Sequence, residues 1–202
     1  MKENTLITIT RQYGSGGREV ADNVAKKLGI KFYDRKIVTR AAENLGAGGD
    51  IHSIVADAYD TPDDFFSNIA ALANQGVPHQ NQMYKEQAKV ILTLAKEGTA
   101  VFMGRCADYI LRDEPNVYSF FIYANEDFRR ERAKLFYKGA SVKDLQAVDK
   151  QRKRYYAYYT GQVWGEPQNY DLMINTSKLA LPEAADLIIN YIELRQKEQQ
   201  FK

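Results

Sequence analysis

Cysteine is almost missing from this chain: Cys106 is the only one in 202 residues. That excludes an intrachain disulfide framework and a cysteine-built metal site, and it fits a reducing, cytoplasmic setting. Histidine is scarce as well. His52 and His79 are too few for a histidine-rich metal site and suggest no Ser-His-Asp or Cys-His system. No apolar run approaches the roughly 18 residues of a membrane span, and the opening MKENTLITIT lacks the apolar stretch of a secretory signal. Neither sign of charge is in excess. With 28 Lys and Arg against 26 Asp and Glu, there is no global pull on nucleic acid or membrane, so any anion site must be local. Repeats and low-complexity segments are absent. Tyrosine, by contrast, is abundant at fourteen residues, several of them late in the chain.

What is present is concentrated in Ile7–Ala25, ITITRQYGSGGREVADNVA. Ile7–Thr10 alternates apolar and polar β-branched residues and reads as a strand. Gly14-Ser15-Gly16-Gly17 follows, and Arg18–Leu28 then places Val20, Val24, Ala25 and Leu28 at helical spacing. Strand, glycine turn and helix form the context in which backbone N–H groups at a helix N-terminus hold a phosphate. The Walker A pattern G-x-x-x-x-G-K-[ST] is not met, because Gly17 stands where its lysine belongs and Arg18 where its hydroxyl residue belongs. Sliding by one puts Arg18 at the lysine but Glu19 at the hydroxyl position. The competing reading is a glycine turn that only lets helix pack on strand.

Further strands are expected at Lys31–Tyr33, Thr99–Met103, Val117–Tyr123 and Leu172–Asn175, with helices between them. Gly29 is a C-cap candidate. Ser141 with Asp144 reads close to a capping box for a helix to Tyr159. Residues 46–50 break a helix, 51–60 are weakly amphipathic, and Thr61-Pro62-Asp63-Asp64 opens a helix to about Asn74. Gln75–Met83, with Gly76, Pro78 and His79, reads as a loop before a helix over Gln82–Lys96. Pro182–Arg195 closes the chain, with a fraying tail. The alternation predicts an α/β fold with a parallel sheet covered on both faces. Helical insertions are expected over about 36–84 and 136–168, on a core of about 1–35, 85–135 and 169–195.

Such sheets bind ligands beyond the carboxyl ends of their strands. The chemistry-bearing clusters fall there: Arg11–Arg18, Asp34-Arg35, Gly104-Arg105 and Thr176-Ser177. An arginine at Arg105, with Asp108 near it, can grip a phosphate bidentately; the alternative is a surface ion pair of little worth. Asp34 is equally readable as the N-cap of the next helix. Lys150, Arg152, Lys153 and Arg154, together with Arg129, Arg130 and Arg132, are a solvated face or a lid over polyphosphate. Their interleaving with Tyr155, Tyr156, Tyr158, Tyr159 and Trp164 also suits single-stranded nucleic acid, against which the near-neutral balance counts.

Taken together, ITITRQYGSGGREVA, KFYDRKIV, VFMGRCADYIL and YDLMINTS, with Asp149-x-x-Arg152, Tyr155-Tyr156 and Trp164-Gly165, resemble the cytidylate kinase-like family of P-loop nucleoside monophosphate kinases. The likeness spans roughly residues 5–192, and the family carries the same Gly-Ser-Gly-Gly-Arg loop in place of the Walker lysine. The resemblance implies a three-layer α/β/α P-loop kinase core with a helical acceptor-binding insertion and a lid. It implies a cytoplasmic enzyme that moves the γ-phosphoryl of ATP, with Mg²⁺, to CMP or a related phosphorylated acceptor. Arg11 and Gly14–Glu19 (Gly14, Ser15, Gly16, Gly17, Arg18, Glu19) would then wrap the donor phosphates, and Asp34, Arg35, Arg105 and Asp108 would line the acceptor pocket. Arg18, Arg105, Arg152 and Arg154 are the candidates to act at the transferring phosphate. The missing lysine charge falls to Arg18 or Arg11, and the magnesium ligand to Ser15 or Glu19. A non-catalytic nucleotide- or phosphate-binding module is the alternative reading of the same loop.

Overall fold

A computed structural model describes residues 1–45, 77–137 and 139–198. Its centre is strand β1 (Leu6–Arg11), flanked by β3 (Ala100–Met103) and β4 (Val117–Tyr123). With β2 (Lys31–Tyr33) and β5 (Leu172–Asn175) at the edges, the order is β2-β3-β1-β4-β5. Every neighbouring pair is parallel, so all five carboxyl ends open on one edge. β1 is buried on both faces, as a parallel central strand must be. Its alternation sends Ile7 and Ile9 to one side and Leu6 to the other.

Helix α1 (Gly17–Leu28) and the closing helix α7 (Leu181–Glu198) cover the Ile7 face, through Val20, Val24, Ile188 and Ile192. Helices α2 (Arg35–Leu45) and α3 (Val77–Ala95) cover the other through Ile37, Ala41, Val90, Ile91 and Leu94. Beyond the sheet's carboxyl edge lie the single turn α4 (Ala107–Ile110) and the pair α5 (Glu126–Phe136) and α6 (Val142–Thr160). The fold is the three-layer α/β/α arrangement with a parallel sheet that the sequence leads one to expect. Gly29 caps α1 in the left-handed conformation, and Ser141 and Asp144 make both bonds of a capping box on α6.

Two expectations are corrected. The stretch 77–83, His79 included, is helical rather than a loop, because Pro78 falls in the first turn, where its missing N–H leaves no bond unmade. The closing helix runs past Arg195, because the buried Gln196 side chain donates to Thr5 Oγ1 (2.9 Å) and accepts from the Lys2 amide (2.8 Å). The expected break at 46–50, amphipathic stretch at 51–60 and helix from Thr61 to about Asn74 lie outside the described residues, as does the tail beyond Glu198.

Candidate active site

Where β1 ends, the chain turns through Gln12–Gly16 into α1. Gly16 takes φ +79°, and a Cβ there would stand 2.7 Å from Leu181 Cδ2, so the turn needs glycine. Ser15 is fully buried, its hydroxyl donating to the Gln12 carbonyl (2.9 Å) and its own carbonyl accepting from Thr176 Oγ1 (2.7 Å). Tyr13 is held on both backbone atoms. Its N–H donates to Asp149 Oδ1 (2.8 Å) and its carbonyl accepts from Arg129 Nε (2.7 Å). Arg129 and Asp149 are buried and joined to each other at 2.5 Å. Burial pushes the Asp149 carboxyl up, and the Tyr13 N–H and the arginines oppose it.

The charge run of α5 and α6 therefore splits. Arg129 and Arg152 turn inward, Arg130 pairs with Glu126 and Asp127, Arg132 pairs with Glu19, and Lys150, Lys153 and Arg154 are exposed. Arg154 stands about 200° round the helix from Arg152, so the two cannot serve one site from the same face.

Arg11, Arg35, Arg105 and Arg152 converge at the open edge of the sheet. Arg152 Nη1 donates to the Arg11 carbonyl (3.0 Å), and its guanidinium lies over the Tyr13 ring. Arg105 Nη2 donates to Thr39 Oγ1 (3.2 Å), with its guanidinium over the Tyr155 ring. The Arg11 guanidinium reaches Gly104, Nη1 standing 2.7 Å from where a Cβ would be. Burial pushes Arg11 well below the usual arginine value, and Arg152 and Arg35 push it further. Arg35 is lowered to about 10 by burial and then by Arg105 and Arg152. Two like charges about 8 Å apart at an effective dielectric constant of about 20 repel by about 2 kcal/mol. Asp34 is the carboxylate that offsets this at Arg11 and Arg35, and it is already engaged. Its Oδ1 accepts from the Ile37 amide (3.1 Å), which makes it the N-cap of α2, and its Oδ2 accepts from Arg18 (2.8 Å). An anion between the guanidinium groups converts the mutual repulsion into attraction.

The next wall is built by β3's exit. Gly104, Arg105 and Cys106 take φ of +74°, +53° and +57° in succession, a left-handed run that costs non-glycine residues about 1 kcal/mol or more each. It leads into Asp108, buried against Tyr156, whose hydroxyl donates to Oδ2 (2.7 Å). Burial pushes the Asp108 carboxyl up to about 6, against the pull of that bond. Its own amide and that of Tyr109 pull the carboxyl down as well, after Tyr156. Among the described residues, Arg105 Nε, Arg132 Nε and the hydroxyls of Tyr118 and Tyr159 are buried without a close partner. Of these, Arg105 Nε and the Tyr159 hydroxyl lie beside the cluster, where a bound ligand could supply the missing partner. Phe121, Trp164 and Tyr170 pack behind Tyr156, and Tyr84 stacks on Tyr159 at 4.1 Å.

The sequence matches the cytidylate kinase-like family over residues 6–178. The chain belongs to the cytidylate kinase-like family. No curated protein matches it. Among solved structures it is similar to an uncharacterized protein from Eubacterium ventriosum, at 26% identity over 94% of this chain and 98% of that one, TM-score 0.71. It is also similar in fold to a gluconokinase from Sinorhizobium meliloti, at 12% identity over 98% and 97% of the chains, TM-score 0.58. A third neighbour is a shikimate kinase from Acinetobacter baumannii, at 14% over 95% and 94%, TM-score 0.52. The fold of the core is thus shared with these kinases, and the family supports a small-molecule kinase in general terms. No helix among the described residues is long and apolar enough to cross a membrane.

Of the residues singled out in the sequence, Arg11, Arg35, Arg105 and Arg152 come together, with Asp108 in the adjoining wall. Arg18 stands at the margin, its side chain 57% exposed and bridged to Asp34. Asp149, Arg129, Tyr156 and Thr39 were not singled out as site residues. Asp149 enters the sequence reading only through the family likeness, Tyr156 through that likeness and the aromatic run, and Arg129 only as one member of the charge run; Thr39 carries no signal. Magnesium typically takes one or two carboxylates plus phosphates and water. No group of three His, Cys, Asp or Glu that could hold a metal occurs among the described residues. Glu19 is paired with Arg132 and the Ser15 hydroxyl faces Gln12. The described residues offer no all-protein cage, so a metal here would be carried by nucleotide phosphates and water.

Proposed function

We propose that this chain transfers the γ-phosphoryl of ATP to a small acceptor that itself bears a phosphate, a nucleoside monophosphate such as CMP being the type. The observation that carries the reading is the under-neutralised cluster of Arg11, Arg35, Arg105 and Arg152 between the glycine loop and the Asp108 wall. The backbone N–H groups at the start of α1 would take the donor phosphates. Arg105 and Arg35, on the β3 and β2 side, would hold the acceptor's phosphate, and Arg152 would lie between the two. Magnesium bound to the donor would supply further charge neutralisation.

The phosphorylated acceptor class is favoured by the arginine cluster, which suits an anionic nucleophile. A phosphate oxygen attacks as an anion and has no proton to lose. An O–P bond forms to the γ-phosphorus, the β,γ-bridging bond breaks, and ADP leaves with the electron pair. A hydroxyl acceptor instead needs a base within hydrogen-bond reach. Among the described residues, Asp34 and Asp149 are occupied by Arg18 and the Ile37 amide, and by Arg129 and the Tyr13 amide. Asp108 in the adjoining wall, raised to about 6 by burial, is the one carboxylate that could serve a hydroxyl acceptor, so the acceptor panel decides between the two classes. Arginines and positioned amides suffice for transfer between phosphates.

The test is ADP release with Mg²⁺ across a panel of nucleoside monophosphates, phosphorylated metabolites and their unphosphorylated counterparts. Turnover is expected with one phosphorylated acceptor. Turnover with a hydroxyl acceptor alone overturns the acceptor class, and ATP binding with no turnover favours a non-catalytic phosphate-binding module.

A further inference from the structure

Gly17 is glycine because Arg11 lies against it. A Cβ on Gly17 would stand 2.5 Å from Arg11 Cβ and 2.9 Å from its Cγ, so the stem of Arg11 runs across the first residue of α1. In the Walker A pattern G-x-x-x-x-G-K-[ST], the two glycines and the lysine fall on positions 11, 16 and 17 of this chain. Gly16 is kept. The other two have changed places: Arg11 stands at the first glycine and Gly17 at the lysine.

Resting on the phosphoryl-transfer reading above, we propose that Arg11 is the phosphate-gripping cation of the loop, rooted at the strand end instead of the helix start, and that it contacts the terminal phosphates of the donor. The two ends of the loop face each other closely enough that a side chain at one excludes a side chain at the other. A long cation can therefore grow from either end into the same space, but not from both. The guanidinium of Arg11 ends at Gly104, whose missing Cβ leaves it room, and Arg152 fixes the Arg11 carbonyl. Its pKa is depressed by burial and by Arg152 and Arg35, yet an arginine stays charged in a protein, so the cluster keeps its affinity for an anion. Arg18, the other cation of the loop, turns to Asp34 and is half exposed; it is a positioning residue for that carboxylate.

The experiment is titration calorimetry with ATP and with inorganic tripolyphosphate, each protein's thermal unfolding being recorded alongside. The proteins are the wild type, Arg11→Gly, Arg11→Met, Arg11→Gly/Gly17→Lys and Arg11→Gly/Gly17→Ala. Arg11→Gly and Arg11→Met should weaken both ligands by about 10- to 100-fold, the range for losing a charge-assisted hydrogen bond. Arg11→Met keeps the stem, so it carries the expectation if Arg11→Gly fails to fold. The lysine double variant should recover most of the affinity, while the alanine double variant should regain packing and stay weak. Arg11→Met binding within about threefold of wild type, or equal binding by the two double variants, overturns the inference alone. A wild type that binds neither ligand overturns the phosphoryl-transfer reading and the inference with it.

Discussion

Asp108→Asn should stabilise the protein at neutral pH while leaving its stability near pH 4 almost unchanged. The carboxyl is buried, and its value rises from 3.8 to about 6. The native state thus holds this proton more tightly than the unfolded chain does. Between about pH 4 and 6 the native state binds more protons, so stability falls as pH rises through that window and is level above it. Each tenfold gain in proton affinity is worth about 1.36 kcal/mol, so a rise of this size gives a native-state cost of roughly 3 kcal/mol at pH 7.5. Asparagine carries no such cost, and its amide can donate to the Tyr156 oxygen while Tyr156 turns its proton to Gln162 Oε1, 3.0 Å away. For a chain of this length the difference corresponds to about 7 °C in Tm. Scanning calorimetry of both proteins at pH 4 and pH 7.5 reads it directly, because every other titrating group is shared and cancels. A Tm gap that is the same at both pH values refutes the reasoning. If Asp108 lines the acceptor pocket as proposed, the gain in stability should come with weaker acceptor binding.

Further expectations concern the loop and its supports. Arg129→Ala should cost about 3–5 kcal/mol in urea unfolding, because it leaves Asp149 a buried, unpaired charge; Arg129→Ala/Asp149→Ala should cost less than the two single variants summed. Gly16→Ala meets both a left-handed φ and Leu181, and should lose about 1–3 kcal/mol; adding Leu181→Ala should return the steric part only, as thermal unfolding will show. Tyr156→Phe removes the bond that holds the Asp108 value down. The upper edge of the pH window of the stability loss should therefore move upward while its lower edge stays put, visible in the same calorimetric series.

Much of this architecture is legible in the chain because local and tertiary signals agree. Ile7–Thr10 and Val117–Tyr123 read as strands from pattern alone, and the capping pair Ser141 and Asp144 sets the start of α6 by local bonds. The misread helix start at Val77 shows the limit: Pro78 is a breaker inside a helix and harmless in its first turn, and composition does not say which applies. In the site, the strand-end rule found Arg35 and Arg105 because parallel sheets gather their carboxyl ends. It could not rank Arg11 above Arg18, since that depends on which side chain crosses Gly17. Arg129 was hidden in a charge run whose members face different ways, a distinction made by tertiary burial rather than by sequence spacing.

The grip on Tyr13 has a mechanical consequence. Its amide and carbonyl are held by Asp149 from α6 and Arg129 from α5, and the Arg11 carbonyl is held by Arg152 of α6. The phosphate turn and the helix pair above it are thus latched as one body, and α6 cannot swing away without unfastening the backbone that would receive the donor. Movement of α6 and loosening of the turn become a single event, so the exchange-protected amides of the turn and of α6 should open together.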